Sequence, residues 1–522
     1  MIIRVSSLTK KFSGLLSDQT LTKKASLNAI ASVLDYGARW VVTFLLNPVL
    51  VAGLGNFGYG TWQVLSRLIG YISPAGGRPT QALKWTIANH QASTDYDEKR
   101  QQVGSAVMVW LMFLPLLSLI GAILTWYIPI WLEAPLEFYP SVRWATALLV
   151  ANLIFTNLAE IPQSVLRGEN LGYKRMGLTT FFVLLGGGLM ALAMFFKTGL
   201  VGVAFANLVA TALTGALFFK LVRSYIQWFG MAKPVFASVR KFLGLSWWFL
   251  AWTLVFQLLK AGDVIILGIF DSAESVTYYS LTRYIPETII GIVAIIVFGV
   301  TPGLGGVIGR GDLEKARRVR GELMIFTWFI VTVAGATMLL WNQSFVQLWV
   351  GNEYFAGTAS NLLIILMVSQ FVFIRNDANI IDLTLDLKSK VLIGLISAGL
   401  SAGVSGILVG VYKLGVVGLA LGFIFGQAVL SVGYPWIIGR YLGVSLYAQL
   451  KSTLRPILVT GLLFVPLASL GAYYTVNTWL ALVVSVSLTV GLLSLLTYYF
   501  GMTAVQRKSL LGRIRKVLSA NI

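Results

Sequence analysis

The chain is a succession of long apolar stretches, and that succession restricts it to one solvent. Stretches near the roughly 20 residues that span a bilayer fall at about 28–50, 58–83, 103–126, 142–165, 177–196, 199–222, 242–268, 275–303, 321–342, 358–381, 391–411, 414–438, 456–474 and 477–500. Charge between them is sparse. Asp, Glu, Lys and Arg make up 11% of the 522 residues, against about 25% in a soluble chain. In lipid the backbone must satisfy its own hydrogen bonds, so each stretch is predicted to be a helix. The expected fold is an all-α integral membrane protein of about fourteen transmembrane helices.

The loops fix an orientation. Of the 40 Lys and Arg, 31 fall in alternate loops and the two ends of the chain, and the opposite loops hold three: Arg143, Lys197 and Lys413. Such alternation places the basic loops and both termini in the cytoplasm. Residues 1–27 are polar and basic and lack a short apolar core followed by a small-residue cleavage site, so the first apolar run is expected to be a retained span. The formal charge of +20 is spread through these loops rather than gathered in one patch, which argues against a nucleic-acid partner. There is no cysteine and one histidine, His90. No metal, cofactor or thiol chemistry is expected. No phosphate-binding loop and no nucleophile–base pair stands out, so no enzyme activity is expected either.

The chain also repeats itself. Thr61-Trp62-Gln63-Val64-Leu65-Ser66-Arg67-Leu68-Ile69 returns 216 residues later as Thr277-Tyr278-Tyr279-Ser280-Leu281-Thr282-Arg283-Tyr284-Ile285. The same offset pairs Asn47 with Asp263, Glu98-Lys99 with Glu314-Lys315, Gly187 with Gly403, and the turn at Lys197-Thr198-Gly199 with Lys413-Leu414-Gly415. Six spans separate the copies, so both enter from the same side and the repeat is parallel. The predicted organisation is a cytoplasmic segment 1–27, two six-helix halves 28–240 and 241–445, and a pair of extra helices with a basic tail, 446–522. Glu98-Lys99-Arg100 and Asp312 to Arg320 read as short cytoplasmic connectors. Gly186-Gly187-Gly188 and Gly399, Gly403, Gly406 and Gly410 offer close helix approach. Pro74, Pro286 and Pro302 are candidate kinks.

Six bases interrupt the spans: Arg39, Arg67, Arg78, Lys260, Arg283 and Arg375. A charge at the bilayer centre costs about 2.5–3.5 kcal/mol on insertion scales and marks function unless something neutralises it. Local pairing is available to most of them. Asp35 and Arg39 are four apart, as are Arg283 and Glu287. Lys260 and Asp263 are three apart, and Arg375 has Asp377 and Asp382 nearby. Arg67 has no acid within a turn. The hydroxyls beside the two matched arginines, Ser66 and Thr282, and the aromatics Trp62, Tyr278 and Tyr279, add candidate donors and faces for stacking on a sugar or a guanidinium. Arginine stays charged and binds phosphate bidentately, so two matched arginines suggest an anionic cargo held at Arg67 and Arg283, with Arg39, Lys260 and Arg375 in support. Asp35, Asp263, Glu287 and Glu160 are the acids available for pairing, or for an ion or proton.

The stretch LLNPVLVAGLGNFGYGTWQVLSRLIGYISPAGG, the pattern from Asp263 to Arg283, and the exit from the fourth span at Val165-Leu166-Arg167-Gly168-Glu169-Asn170-Leu171-Gly172-Tyr173-Lys174 together resemble bacterial polysaccharide flippases. These belong to the multidrug/oligosaccharidyl-lipid/polysaccharide exporter superfamily. The resemblance implies two six-helix bundles that flip a polyprenyl-diphosphate-linked oligosaccharide across the cytoplasmic membrane by alternating access. It implies a place in envelope polysaccharide synthesis beside a polymerase or glycosyltransferases. It assigns Arg39, Arg67 and Arg283 to the diphosphate, by analogy with related lipid II flippases, from which the SPAGGRPTQAL stretch departs. Two rival expectations are a multidrug–cation antiporter using Asp35 as its ion site and a non-transporting scaffold for glycosyltransferases.

Overall fold

The computed structural model describes residues 21–507, apart from 77–78, 91–92, 170, 172–176, 235, 310, 385–386 and 505. Arg78 and four of the ten residues of the fourth-span exit motif therefore lie outside the described residues, and Asp35 lies on a stretch whose side chains do as well. The described chain is helical throughout: α1 Leu21–Ile72, α2 Pro79–Asn89, α3 Tyr96–Trp131, α4 Tyr139–Gly168, α5 Leu178–Phe195, α6 Gly199–Tyr225, α7 Phe236–Phe270, α8 Ala273–Gly309, α9 Leu313–Trp349, α10 Thr358–Thr384, α11 Leu387–Gly410, α12 Gly415–Leu442, α13 Leu446–Tyr473 and α14 Trp479–Leu496.

Twelve helical stretches among the described residues are long and apolar enough to cross a membrane. The expected fourteen would need two more crossings, and the described helices offer a source for each. One is α8, 37 residues long and continuous through Pro286 and Pro302. The other comes from α1, which is two helices joined at Gly55 (φ +69°), a backbone conformation glycine adopts without penalty. The second apolar run is not one helix, as expected, but two. It stops at Ile72, passes through a 3₁₀ turn at Ser73–Gly76, and restarts at Pro79. Pro74 cannot donate to the preceding turn, whereas Pro79 at a helix start has no bond to lose. A Cβ on Gly76 would lie 2.5 Å from Asn157 Nδ2, so the turn depends on that glycine.

The two expected connectors are instead the first turns of long helices. Asp95 caps α3 by accepting the Glu98 N–H, and Asp312 caps α9 by accepting the Lys315 N–H. Each carboxylate also complements the positive end of the helix. The repeat is visible in the backbone. Lys197 and Lys413 hold the same left-handed conformation, φ 53° and 54°, and Gly199 and Gly415 follow at +63° and +50°.

The chain divides into two compact units. The first comprises the chain up to Gly58 together with Leu68–Leu250. Its core brings Leu83 and Ile87 of α2 against Val103 and Val109 of α3, Val165 of α4, and Phe218 and Val222 of α6. Lys99 donates to Glu169 at 2.9 Å, a buried pair tying the start of α3 to the end of α4.

The second unit comprises Tyr59–Arg67 and the chain from Ala251 onward, so α13 and α14 belong to it. There Val333 and Leu339 of α9 pack on Ile365, Phe464, Ala468 and Leu493. A close helix approach uses Gly422 and Gly426 of α12, where a Cβ would meet Ser405 and Ser401 of α11 at 2.2–2.3 Å. Gly399 and Gly403 face open space, with nothing within 4 Å. They point away from α12, which explains why they do not bring helices together.

Candidate anion-binding site

The second unit gathers most of the charges found inside the spans. On α8, Tyr279, Arg283 and Glu287 stand four residues apart and share one face. On α7, Lys260 and Asp263 lie a turn apart. Segment Tyr59–Arg67 completes the group. It passes so close to the start of α8 that a Cβ on Gly60 would lie 1.7 Å from the Ala273 carbonyl oxygen. It buries Tyr59, Thr61, Trp62, Val64 and Leu65, and leaves Arg67 partly exposed.

Two ion pairs form here, neither of them a within-helix pair suggested by spacing. Asp263 on α7 binds Arg283 on α8 through Oδ2 and Nη1; the two side chains are 2% and 7% exposed. The Tyr279 hydroxyl donates to the same Oδ2 at 2.6 Å and accepts from Arg283 Nη1 at 2.7 Å. Asp263 Oδ1 takes the Val264 N–H at 2.8 Å. The second pair joins Arg67 Nη2 to Glu287 Oε2 at 3.8 Å, with the side chains 27% and 31% exposed. That separation is too long for a hydrogen bond. Glu287 also lies in the electrostatic field of Arg283 and Lys260, and Lys260 in that of Arg67, Arg375 and Arg283. Arg67, Lys260 and Arg283 thus outnumber Asp263 and Glu287, and Arg375 adds to the positive field.

The acids expected near Arg375 are engaged elsewhere. Asp377 takes Arg320 at 2.9 Å, and Asp382 takes Lys390 at 2.6 Å. Arg375 instead lies over the Phe256 ring at 5.9 Å. It lines a cavity of about 200 Å³ with Phe256, Leu259, Phe371 and Asn379, and the buried Nδ2 of Asn379 has no hydrogen-bond partner. A larger cavity of about 740 Å³ lies between α9, α10, α12 and α13. It is apolar apart from a few polar groups, among them Arg320, Asp377 and Gln449, which satisfy one another. Among the described residues, the in-span cations that outnumber their acids are therefore those of the α7–α8 cluster and Arg67.

Several expected roles change. Tyr279 is fully buried: the Arg283 guanidinium lies over its ring at 5.5 Å and its hydroxyl braces the Asp263–Arg283 pair, so the ring is not open to a sugar, and Trp62 is also buried. Thr282 is buried too: its hydroxyl accepts the Ala356 N–H at 2.9 Å, and its carbonyl accepts from Asn342 at 2.8 Å. It clamps α8 to α9 and the following loop. Arg39 and Glu160 lie in the first unit, both exposed, with Thr80 donating to Glu160 at 3.3 Å. The bracing role of Tyr279 was legible only as its four-residue spacing from Arg283.

Neither a protein-family profile nor a curated protein sequence matches the chain. Solved structures do, and they define a class: the all-α membrane fold common to a lipid flippase and multidrug transporters. A structure described as "Lipid II flippase MurJ, inward closed conformation" aligns with TM-score 0.66 at 14% identity, over 90% of this chain and 99% of that one. An inward-facing multidrug resistance MATE family transporter of the MOP superfamily aligns with TM-score 0.63 at 14% identity, over 79% and 98%. A MOP superfamily transporter from Pyrococcus furiosus, described as having a binding pocket of reverse polarity, aligns with TM-score 0.53 at 16% identity, over 81% and 97%.

Proposed function

We propose that this chain is a membrane transporter that carries a lipid-linked, diphosphate-bearing saccharide across the cytoplasmic membrane by alternating access, for building an envelope polysaccharide. The observation that carries the reading is the excess of positive charge within the spans: among the described residues, Arg67, Lys260 and Arg283 stand around two carboxylates. Each cation is costly to insert, and an anionic cargo offsets that cost. The fold supports transport, since it is shared with proteins described in inward-facing and outward-facing conformations. The structure described as a lipid II flippase supports a lipid-linked cargo. In this reading the diphosphate meets the α7–α8 cluster, and Arg39 and Arg375 attract the same cargo. The saccharide occupies the polar space and the lipid tail stays in the bilayer. A polymerase or glycosyltransferases act on the same cargo.

The fold fits a multidrug–cation antiporter equally well. Charge favours the first reading, because Asp263 and Glu287 both stand beside arginine, where a cationic drug would meet like charge. The test neutralises Arg67 and Lys260 together to Gln in the native host. Surface polymer should be lost while the protein still inserts in the membrane. Unchanged polymer overturns the reading and leaves the scaffold. Loss of drug resistance in Asp35→Asn, with polymer intact, favours the antiporter.

A further inference from the structure

The two copies of the repeat treat their arginines differently. Arg283 is held by Asp263, twenty residues before it, and by Tyr279, four before it. The same steps back from Arg67 reach Asn47 and Gln63, neither of which carries charge. Glu287 has no acidic twin either, since its counterpart 216 residues earlier is Tyr71. So one copy keeps an arginine with its own acid and tyrosine brace. The other has an arginine stripped of that acid, and an unmatched carboxylate from α8 stands beside it.

The pairs differ physically as well. Asp263–Arg283 is dry and shares a third polar group. Arg67–Glu287 is 3.8 Å long and about a third exposed on each side. A dry, braced pair resists exchange, because separating it leaves a buried charge uncompensated. A loose, wet pair exchanges easily. Phosphate offers arginine two short, charge-assisted hydrogen bonds, where Glu287 makes none at its present distance.

We propose that Glu287 is a resident counter-anion. It occupies Arg67 when no cargo is bound, and an incoming phosphate displaces it. Arg283, locked by Asp263 and Tyr279, positions α8 without touching the cargo. This rests on the anionic-cargo reading above and assigns unlike tasks to its two matched arginines.

The test measures farnesyl diphosphate binding to the purified full-length protein in nanodiscs. Arg67→Gln should weaken binding roughly ten- to hundredfold, the range for losing a hydrogen bond to a charged group. Glu287→Gln should strengthen it about fivefold, by removing a competitor of surface-pair strength. That gain should vanish when Arg67→Gln is also present. The paired change Asp263→Asn with Arg283→Gln, in protein that still elutes as a folded monodisperse species, should weaken binding severalfold less than Arg67→Gln does, because the two opposite charges are removed together.

No gain in Glu287→Gln, or an equal gain with and without Arg67, overturns the counter-anion, since only a general field effect would remain. A loss in the paired variant as large as that of Arg67→Gln overturns the assignment of Arg283. Binding unchanged by Arg67→Gln sinks the cargo site itself, an outcome distinct from the others. Glu287 is partly exposed, so its variant tests the idea even where the buried pair does not tolerate change.

Discussion

Arg283 and Glu287, four residues apart on α8, belong to ion pairs of opposite character. Breaking a buried pair by removing one partner costs about 3–5 kcal/mol, and Asp263–Arg283 is buried on both sides. An exposed pair contributes about 0–1 kcal/mol, and Arg67–Glu287 is partly exposed on both. Asp263→Asn or Arg283→Gln should therefore lower the thermal midpoint of the purified protein sharply, whereas Glu287→Gln should barely move it. Equal shifts would mean that the two pairs do not differ in burial. The residues of this cluster were legible in the sequence, because a charge inside an apolar run announces itself. Their partners were not. Helical spacing offers only neighbours on the same helix, and it nominated Glu287 for Arg283 and Asp263 for Lys260. Packing of α7 on α8 gave Arg283 the acid of α7 and left Glu287 for Arg67.

Among the elements, glycine has opposite consequences at different places. Gly60 sits where α1 meets the start of α8, and a Cβ there would meet backbone at 1.7 Å. Backbone cannot turn aside as a side chain can, so Gly60→Ala should cost about 1–3 kcal/mol through overpacking. It should also reduce transport by moving Arg67. Gly399 lies inside α11 with nothing within 4 Å. The same change there should be neutral or stabilise by up to about 1 kcal/mol, the usual gain of alanine over glycine within a helix. Denaturation of the two variants side by side checks both signs, and a destabilised Gly399→Ala would mean that α11 is packed against something at that face. The helices were legible because lipid leaves the backbone no alternative, but the break at Ser73–Gly76 was not, since the apolar run continues across it and Pro74 suggested only a kink. Which glycines bring helices together was not legible. A run of small residues identifies a smooth stripe on a helix, and only the neighbour's placement decides whether Gly403 or Gly426 is on the packed side.

At the scale of the whole molecule, the duplication makes a claim about sidedness that can be checked without a substrate. Lys197 and Lys413 sit in twin left-handed turns with φ of 53° and 54°, each between two membrane-crossing helices and each exposed. Six crossings separate them, an even number, so a parallel repeat puts both on one side of the membrane. The basic residues Arg223 and Lys451, also exposed, lie one crossing beyond those turns, and the concentration of positive charge there predicts a cytoplasmic position for them. The chain contains no cysteine, so any single cysteine introduced into it is the only thiol. Lys197→Cys and Lys413→Cys should react with a membrane-impermeant maleimide in intact cells, while Arg223→Cys and Lys451→Cys should react only after the membrane is opened. Labelling of Lys197→Cys and Lys413→Cys from opposite sides would require an odd number of crossings between the copies. The turns would then be twins in backbone alone, and Arg67 and Arg283, which stand at matching depths only if the copies enter the membrane in the same direction, would no longer be related by the repeat.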